Sequence, residues 1–114
     1  MRLPNYLFSN LALAIFISTP LIAHAQEPST GKAIYEQNCA GCHGSDGSGS
    51  MRGVPDFTRP SGVLSKPDSE LVQNTINGVR GRGMFGMPAK GGNPSLSKQD
   101  IVNVIRYMKA TFKR

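Results

Sequence analysis

Two cysteines and a histidine form the most chemically distinctive group in the chain, Cys39-Ala40-Gly41-Cys42-His43. Two thiols three residues apart on a helical turn can each add across one vinyl group of a porphyrin and form two thioethers. His43 then lies under the ring and offers an imidazole nitrogen to the iron from the proximal side. The C-x-x-C-H pattern therefore predicts the covalent attachment of one c-type haem.

A redox disulfide and half of a zinc site are the alternative interpretations. A thioredoxin-type C-x-x-C follows a strand of a βαβ unit, whereas residues 31–38 are predicted to be helical. A structural zinc site needs a further pair of Cys or His ligands. The chain has only these two cysteines, and its other histidine is His24, in a segment that we expect to be removed. Both observations favour haem attachment.

The first 25 residues are predicted to be a secretory signal peptide. Arg2 supplies a short basic region, residues 7–23 are mostly apolar, and Ala23-His24-Ala25 fits a small-x-small cleavage pattern. A transmembrane anchor would need about 20 largely uninterrupted apolar residues, whereas Pro20 interrupts this run. We therefore expect residues 26–114 to form one exported domain.

Residues 26–114 are few for a self-sufficient core, because a domain of this size buries only about 60% of its unfolded surface. A bound haem would supply the missing apolar surface. The net charge is +6, and residues 66–114 hold nine basic and three acidic residues. The chain lacks the aromatic and basic interleaving typical of nucleic-acid binding. An acidic protein partner or an anionic membrane surface suits this charge better.

Caps and periodicity predict three main helices. Thr30 caps a helix over residues 31–38, and residues 44–53 form a loop rich in glycine and serine. The pattern L-S-K-x-D occurs at residues 64–68 and 96–100, so Ser65 and Ser97 are each predicted to cap a helix. The first of these two helices is predicted to end at Asn77-Gly78, where the glycine would form a left-handed cap.

The terminal helix carries an apolar stripe at i, i+3, i+4 and i+7, which consists of Ile101, Val104, Ile105 and Met108. Residues 78–92 contain six glycines and are predicted to be irregular. No segment alternates as a strand would. The predicted fold class is all-α.

In the order of these parts the chain resembles the class I c-type cytochromes over residues 30–112. The resemblance rests on the first helix with Gly31 and Tyr35, the CAGCH motif, residues 53–57 (GVPDF), Met87-Pro88 and a terminal helix with Tyr107. It implies a few helices and long loops packed around one haem c. It also implies a location in the periplasm, where bacteria attach such haems.

The resemblance assigns roles to individual residues. Cys39 and Cys42 would carry the thioethers, and His43 would be the proximal iron ligand. The Pro55 carbonyl would accept a hydrogen bond from the other nitrogen of that imidazole. Phe57 would lie against the porphyrin. A close crossing of the first and last helices would be made by Gly31, Tyr35 and Tyr107.

The sixth iron ligand is expected among four methionines, Met51, Met84, Met87 and Met108. Met108 lies on the apolar stripe of the terminal helix, where methionine usually fills the core. Met51 follows His43 closely, on a loop expected to wrap the proximal side. Met87 precedes Pro88, as the axial methionine of the resembled family does, so Met87 is the predicted ligand and Met84 the alternative.

A His/Met pair leaves no iron position open to substrate, which predicts a one-electron carrier and no enzymatic activity. The protein is expected to be a monomer. Arg80, Arg82 and Lys90 would face an acidic redox partner. A cytochrome subunit of a periplasmic dehydrogenase or terminal oxidase would use the same chemistry. A gas-binding or peroxidase-like protein is a further alternative and would need an open sixth site.

Overall fold

The computed structural model describes residues 30–81 and 86–114. Its helices are α1 (Gly31–Asn38), α2 (Ala40–His43), α3 (Asp68–Asn77) and α4 (Lys98–Phe112), with 3-10 turns at Val63–Ser65 and Ala89–Gly92. These residues contain no strand, only one antiparallel bridge between Val79 and Met87. The predicted all-α fold class is confirmed. The expected signal peptide, Arg82 and Met84 lie outside the described residues.

Helices α1 and α4 cross at close range because α1 begins with a glycine. A Cβ atom at Gly31 would lie 2.3 Å from the Asn103 carbonyl oxygen and 2.8 Å from the Tyr107 Cβ. Tyr35 and Tyr107 pack beside this point with ring centroids 5.8 Å apart. The predicted crossing of the first and last helices is therefore present.

One apolar core lies between α1, α3 and α4. The α4 stripe is buried as predicted, and Met108 is part of it. Other members of the core are Ile34, Tyr35, Phe57, Leu64, Leu71, Val72, Leu96 and Phe112. Lys109 joins α4 to the start of α3, where its ammonium pairs with Asp68 and donates to the Lys66 carbonyl at 2.9 Å. No helix in the two described ranges is long and apolar enough to cross a bilayer.

The two L-S-K-x-D segments behave differently. Ser97 caps α4 with a complete capping box, in which Asp100 accepts the Ser97 backbone N–H at 2.9 Å. The prediction for Ser65 is wrong: Pro67 is the N-cap of α3, and the Ser65 hydroxyl donates to the Gly62 carbonyl at 2.6 Å. Pro67 disfavours helical geometry at Lys66, which is extended (φ −66°, ψ 156°), so no helix can start at Ser65.

Helix α3 ends at Asn77, as predicted, and Gly78 turns the chain. Gly78 adopts φ 77° with an extended ψ of 171°, so its φ is positive but it is not the left-handed helical cap expected from the sequence. A Cβ atom there would also lie 2.6 Å from the Met87 carbonyl oxygen. Glycine is thus required at the point where the chain returns beside α3.

Candidate haem site

The CAGCH segment lies where α1 ends and α2 begins. The Cys39 backbone N–H donates to the Tyr35 carbonyl at 2.9 Å, and the His43 N–H donates to the Cys39 carbonyl at 3.0 Å. Both thiols are free, with Cys39 half-buried and Cys42 exposed. One helical turn therefore holds two free thiols and the histidine that follows them.

The electrostatics of Cys39 do not suit a dithiol redox centre. Burial, and then the nearby Cys42, raise the pKa of the Cys39 thiol to about 11. Thiols of C-x-x-C oxidoreductases instead have lowered pKa values, because the thiolate is their reactive form. The raised pKa of Cys39 thus differs from the lowered pKa of a reactive thiolate. The structure also contains no group of three or more His, Cys, Asp or Glu side chains suited to a metal ion within residues 30–81 and 86–114.

His43 is a buried histidine with an unsatisfied ring nitrogen. Only 8% of the residue is exposed, and its Nδ1 has no hydrogen-bond partner in the described part of the chain. Burial lowers the pKa of His43, and the Pro55 carbonyl opposes this shift without reaching hydrogen-bond geometry at Nδ1. Burial therefore favours the neutral imidazole, which is the form that binds metals.

Phe57 lies directly against the His43 ring. The ring centroids are 4.4 Å apart and the planes are inclined by only 16°. Phe57 is itself buried, and its backbone N–H donates to the Gly47 carbonyl at 2.8 Å. The predicted contact of Phe57 with a porphyrin remains a prediction, but its contact with the expected proximal ligand is direct.

The loop after the motif folds back onto it. Gly49 donates its backbone N–H to the His43 carbonyl at 2.8 Å, and Ser50 donates to the Cys42 carbonyl at 3.0 Å. The Tyr35 hydroxyl donates to the buried Gly44 carbonyl at 2.6 Å. The sequence predicts Tyr35 only at the helix crossing and gives no sign of this bond, because no local pattern pairs residues 35 and 44.

The four candidate methionines have different environments. Met51 is 46% exposed and Met108 is in the α4 core. Met87 is half-buried and forms a two-way backbone bridge with Val79, at 2.9 and 2.8 Å. Met84 lies outside the described residues. Of the three described methionines, Met87 alone combines partial burial with a place in the glycine-rich loop.

We call residues 78–92, the segment around Met87, the ligand loop. A cleft of about 570 Å³ lies between its two arms, lined by residues 77–81 and 86–89. After Met87 the chain is fastened to α1, because the Asn93 amide donates to the Asn38 side-chain oxygen at 2.9 Å. Asn38 lies one helical turn after the buried Ile34 and Tyr35, on the same face of α1, and a polar residue there was the available signal for this contact.

Of the three cations predicted to flank the ligand loop, the structure describes two. Arg80 is exposed. Lys90 is half-buried, and its ammonium lies 3.3 Å from the Pro94 carbonyl oxygen, to which it donates. Lys90 also has a φ of 55°, unusual for a residue with a side chain.

The donor set fits a c-type haem. It consists of two free thiols on one helical turn, a buried imidazole, and a half-buried thioether in a loop fastened to α1. Imidazole and thioether are the protein ligands of haem iron in electron-transfer cytochromes.

Comparisons with known proteins agree with this assignment. Residues 26–108 match the family described as cytochrome C oxidase, cbb3-type, subunit III. Cytochrome c-555 of Chlorobaculum thiosulfatiphilum is 37% identical over 83 residues, which cover 72% of this chain and 93% of that protein. Cytochrome c-555 of Chlorobaculum tepidum is 36% identical over 87 residues, covering 75% and 78% respectively.

A longer relative is the cbb3-type cytochrome c oxidase subunit CcoP of Rubrivivax gelatinosus. It is 35% identical over 98 residues, which cover 83% of this chain but only 30% of that subunit. The match of the family over most of the chain and the similarity to small cytochromes along most of their length lead to one assignment. The chain belongs to the cytochrome C oxidase, cbb3-type, subunit III family, and it is a small class I c-type cytochrome that carries electrons on a covalently bound haem c.

Proposed function

We propose that this protein is a periplasmic one-electron carrier whose haem is joined to Cys39 and Cys42 and ligated by His43. The observation that carries the proposal is the buried His43 imidazole directly after two free thiols on one helical turn. A buried Nδ1 without a partner costs free energy, and the Pro55 carbonyl is the group proposed to satisfy it. Iron binding at the other ring nitrogen, Nε2, would account for the burial of the imidazole.

Pro55 is the proposed hydrogen-bond acceptor for the His43 Nδ1–H. Its carbonyl is the group that opposes the effect of burial on the pKa of His43. A bond to this nitrogen would leave Nε2 as the iron-binding atom and would raise the basicity of the imidazole. Phe57, stacked on the imidazole, is the proposed apolar wall beside the porphyrin.

Met87 is the proposed sixth ligand. Its half-burial and the anchoring of its loop to α1 through Asn93 support this choice. With both axial positions held by side chains, no substrate can bind iron, which supports a carrier over an enzyme or a gas-binding protein. The haem supplies reversible one-electron chemistry, and thioether ligation raises its reduction potential. The chain supplies the two ligands and a dry proximal wall.

Replacement of Met87 tests the ligand assignment. In Met87→Ala the weak sulfur-to-iron absorption band of the ferric protein should vanish, and the midpoint potential should fall because the soft ligand is lost. Carbon monoxide should then bind the ferrous protein much faster, since no internal ligand has to leave first. Met84→Ala is the matched control from the same loop and should keep both the band and the potential.

Two outcomes would contradict this assignment. If Met84→Ala loses the band and Met87→Ala keeps it, Met84 is the ligand. If the unmutated protein has no such band and binds carbon monoxide readily, the carrier function itself is wrong. Covalent attachment is checked separately, because acidic acetone should not extract haem from the wild-type polypeptide.

Export is the remaining part of the proposal. Residues 1–25 would direct secretion and be removed, so the mature protein should begin at Gln26. Mass spectrometry of the purified holoprotein measures its N-terminus directly. A protein that keeps residues 1–25 would contradict cleavage.

A second candidate function is that of a cytochrome subunit within a terminal oxidase. The similarity to subunit CcoP of Rubrivivax gelatinosus supports it. Size-exclusion chromatography of gently solubilised membranes and of the periplasmic fraction separates the two functions. A free carrier should elute alone at about the mass of its own chain, whereas a subunit should co-elute with oxidase activity.

A further inference from the structure

Four aromatic rings form a continuous column that begins at His43. His43 stacks on Phe57 at 4.4 Å, and Phe57 lies 6.5 Å from Phe112 with its plane inclined by 26°. Tyr35 is the next ring, 5.0 Å from Phe112. We call His43, Phe57, Phe112 and Tyr35 the aromatic column.

Backbone groups of the loop after His43 contact the other rings of the aromatic column. The far end of the column, the Tyr35 hydroxyl, bonds to the carbonyl of Gly44, the residue after His43. Phe112 packs on the bare backbone of Gly47, where a Cβ atom would lie 2.8 Å from the ring. The Gly47 carbonyl accepts the Phe57 N–H at 2.8 Å. Phe57 is thus confined by a ring on one side and by the motif loop on the other.

We propose that Phe57, supported by Phe112, is a positioning residue that fixes the rotation of the His43 imidazole about its bond to iron. The inference rests on the proposed role of His43 as axial ligand. With the two rings nearly parallel, rotation of the imidazole would drive its edge into Phe57. Because Phe57 is 4% exposed and confined by the aromatic column, it cannot move aside.

The rotation has an electronic consequence. Residues around a metal ligand orient it and thereby tune the metal. With haem bound, the orientation of the His43 imidazole would contribute, together with the other axial ligand, to how unpaired spin is distributed over the porphyrin. A fixed orientation would therefore keep that contribution constant. The four haem methyl groups report it through their hyperfine-shifted proton resonances.

The test compares Phe57→Leu with wild type as purified ferric holoproteins. Leucine keeps an apolar side chain beside the haem but removes the flat ring, so a porphyrin wall survives while the stack is lost. We expect a changed order or spread of the four methyl resonances, with the methionine band retained. Ile101→Val is the matched control, because Ile101 is wholly buried on α4 and outside the aromatic column. It should lower stability without altering the methyl pattern.

An unchanged methyl pattern in Phe57→Leu, with haem attached and the methionine band present, overturns the inference and leaves the proposed function intact. Absence of covalent haem or of the methionine band in wild type overturns the proposed function instead. If Phe57→Leu does not accumulate as holoprotein, Phe112→Leu removes the support behind Phe57. Phe112→Leu should change the methyl resonances, but less than the loss of the Phe57 ring would. If Phe112→Leu shows the wild-type methyl pattern, the inference is also overturned.

Discussion

Tyr35 shows how one side chain can serve both folding and the site. Its ring packs in the α1–α4 crossing, and its hydroxyl donates to the carbonyl of Gly44, the residue immediately after His43. The residue is 1% exposed, and burial is the main cause that raises its pKa to about 12. The buried hydroxyl is therefore protonated over the whole physiological range.

Tyr35→Phe should lower the free energy of unfolding by about 1–3 kcal/mol, because the buried Gly44 carbonyl loses a donor. The variant should also remove a pH dependence. Because folding raises the pKa of Tyr35, the contribution of its hydroxyl to the free energy of unfolding is complete below pH 10. That contribution is lost as the pH rises toward about 12. Denaturant unfolding of both proteins between pH 8 and about 12 measures this. If the free energy of unfolding depends on pH in the same way in both proteins, the buried Tyr35 hydroxyl is not the source of this pH dependence.

At the scale of elements, a serine cap determines where α4 begins, whereas a proline determines where α3 begins. The same L-S-K-x-D letters give a complete capping box at Ser97 and none at Ser65. The difference lies in the fourth position, which is Gln99 in one segment and Pro67 in the other. Proline restrains the preceding residue to extended geometry and so moves the helix start past the serine.

The two serines make a matched pair for measurement. Ser97→Ala should cost about 1 kcal/mol of stability, because the Asp100 backbone N–H at the start of α4 loses its acceptor, the Ser97 hydroxyl. Ser65→Ala removes only the hydroxyl bond to the Gly62 carbonyl in an exposed turn and should cost less. Thermal unfolding of the two variants compares them. An equal or larger loss for Ser65→Ala would show that Ser65 has a capping role after all.

At the scale of the whole molecule, the α1–α4 crossing joins the two ends of the described chain. Gly31→Ala inserts a methyl group where 2.3 Å separates the ideal Cβ from the Asn103 oxygen. Overpacking of this kind costs about 1–3 kcal/mol, more than the gain of up to about 1 kcal/mol from replacing glycine in a helix. We expect net destabilisation in urea unfolding.

Gly41→Ala is the control for this change. Gly41 lies in helix α2, and a Cβ atom there meets nothing within 4 Å. The substitution should be neutral or slightly stabilising. If Gly31→Ala unfolds at the same urea concentration as Gly41→Ala, the crossing tolerates a methyl group and close approach is not what requires glycine at residue 31.

Charge also acts at the molecular scale. If Arg80 and Lys90 face the redox partner, Arg80→Glu with Lys90→Glu should slow electron transfer with an acidic partner at low salt. The effect should shrink as the Debye length falls from about 30 Å at 0.01 M to about 8 Å at 0.15 M ionic strength. Stopped-flow measurements of the electron-transfer rate test this. The control is the double variant Lys32→Glu with Lys98→Glu, which changes the net charge by the same amount. Equal slowing in both double variants would mean that net charge alone matters.

The sequence by itself determined the chemistry of the motif and most helix limits. The spacing of Cys39, Cys42 and His43 sets their relation within one turn, and caps such as Thr30 and Ser97 act within three residues. The apolar stripe of α4 was readable because helical periodicity is also local. Such features need no knowledge of the rest of the chain, which is why the sequence could predict them.

Tertiary structure alone decided what surrounds the histidine. Phe57 on His43, the Tyr35 hydroxyl on Gly44, and Asn93 on Asn38 join residues between 9 and 55 positions apart. No periodic pattern relates such residues, because their contacts depend on how α1, the motif loop and α4 pack together. The sequence identifies His43 as the expected ligand, and only the packing of distant residues places Phe57 against its ring.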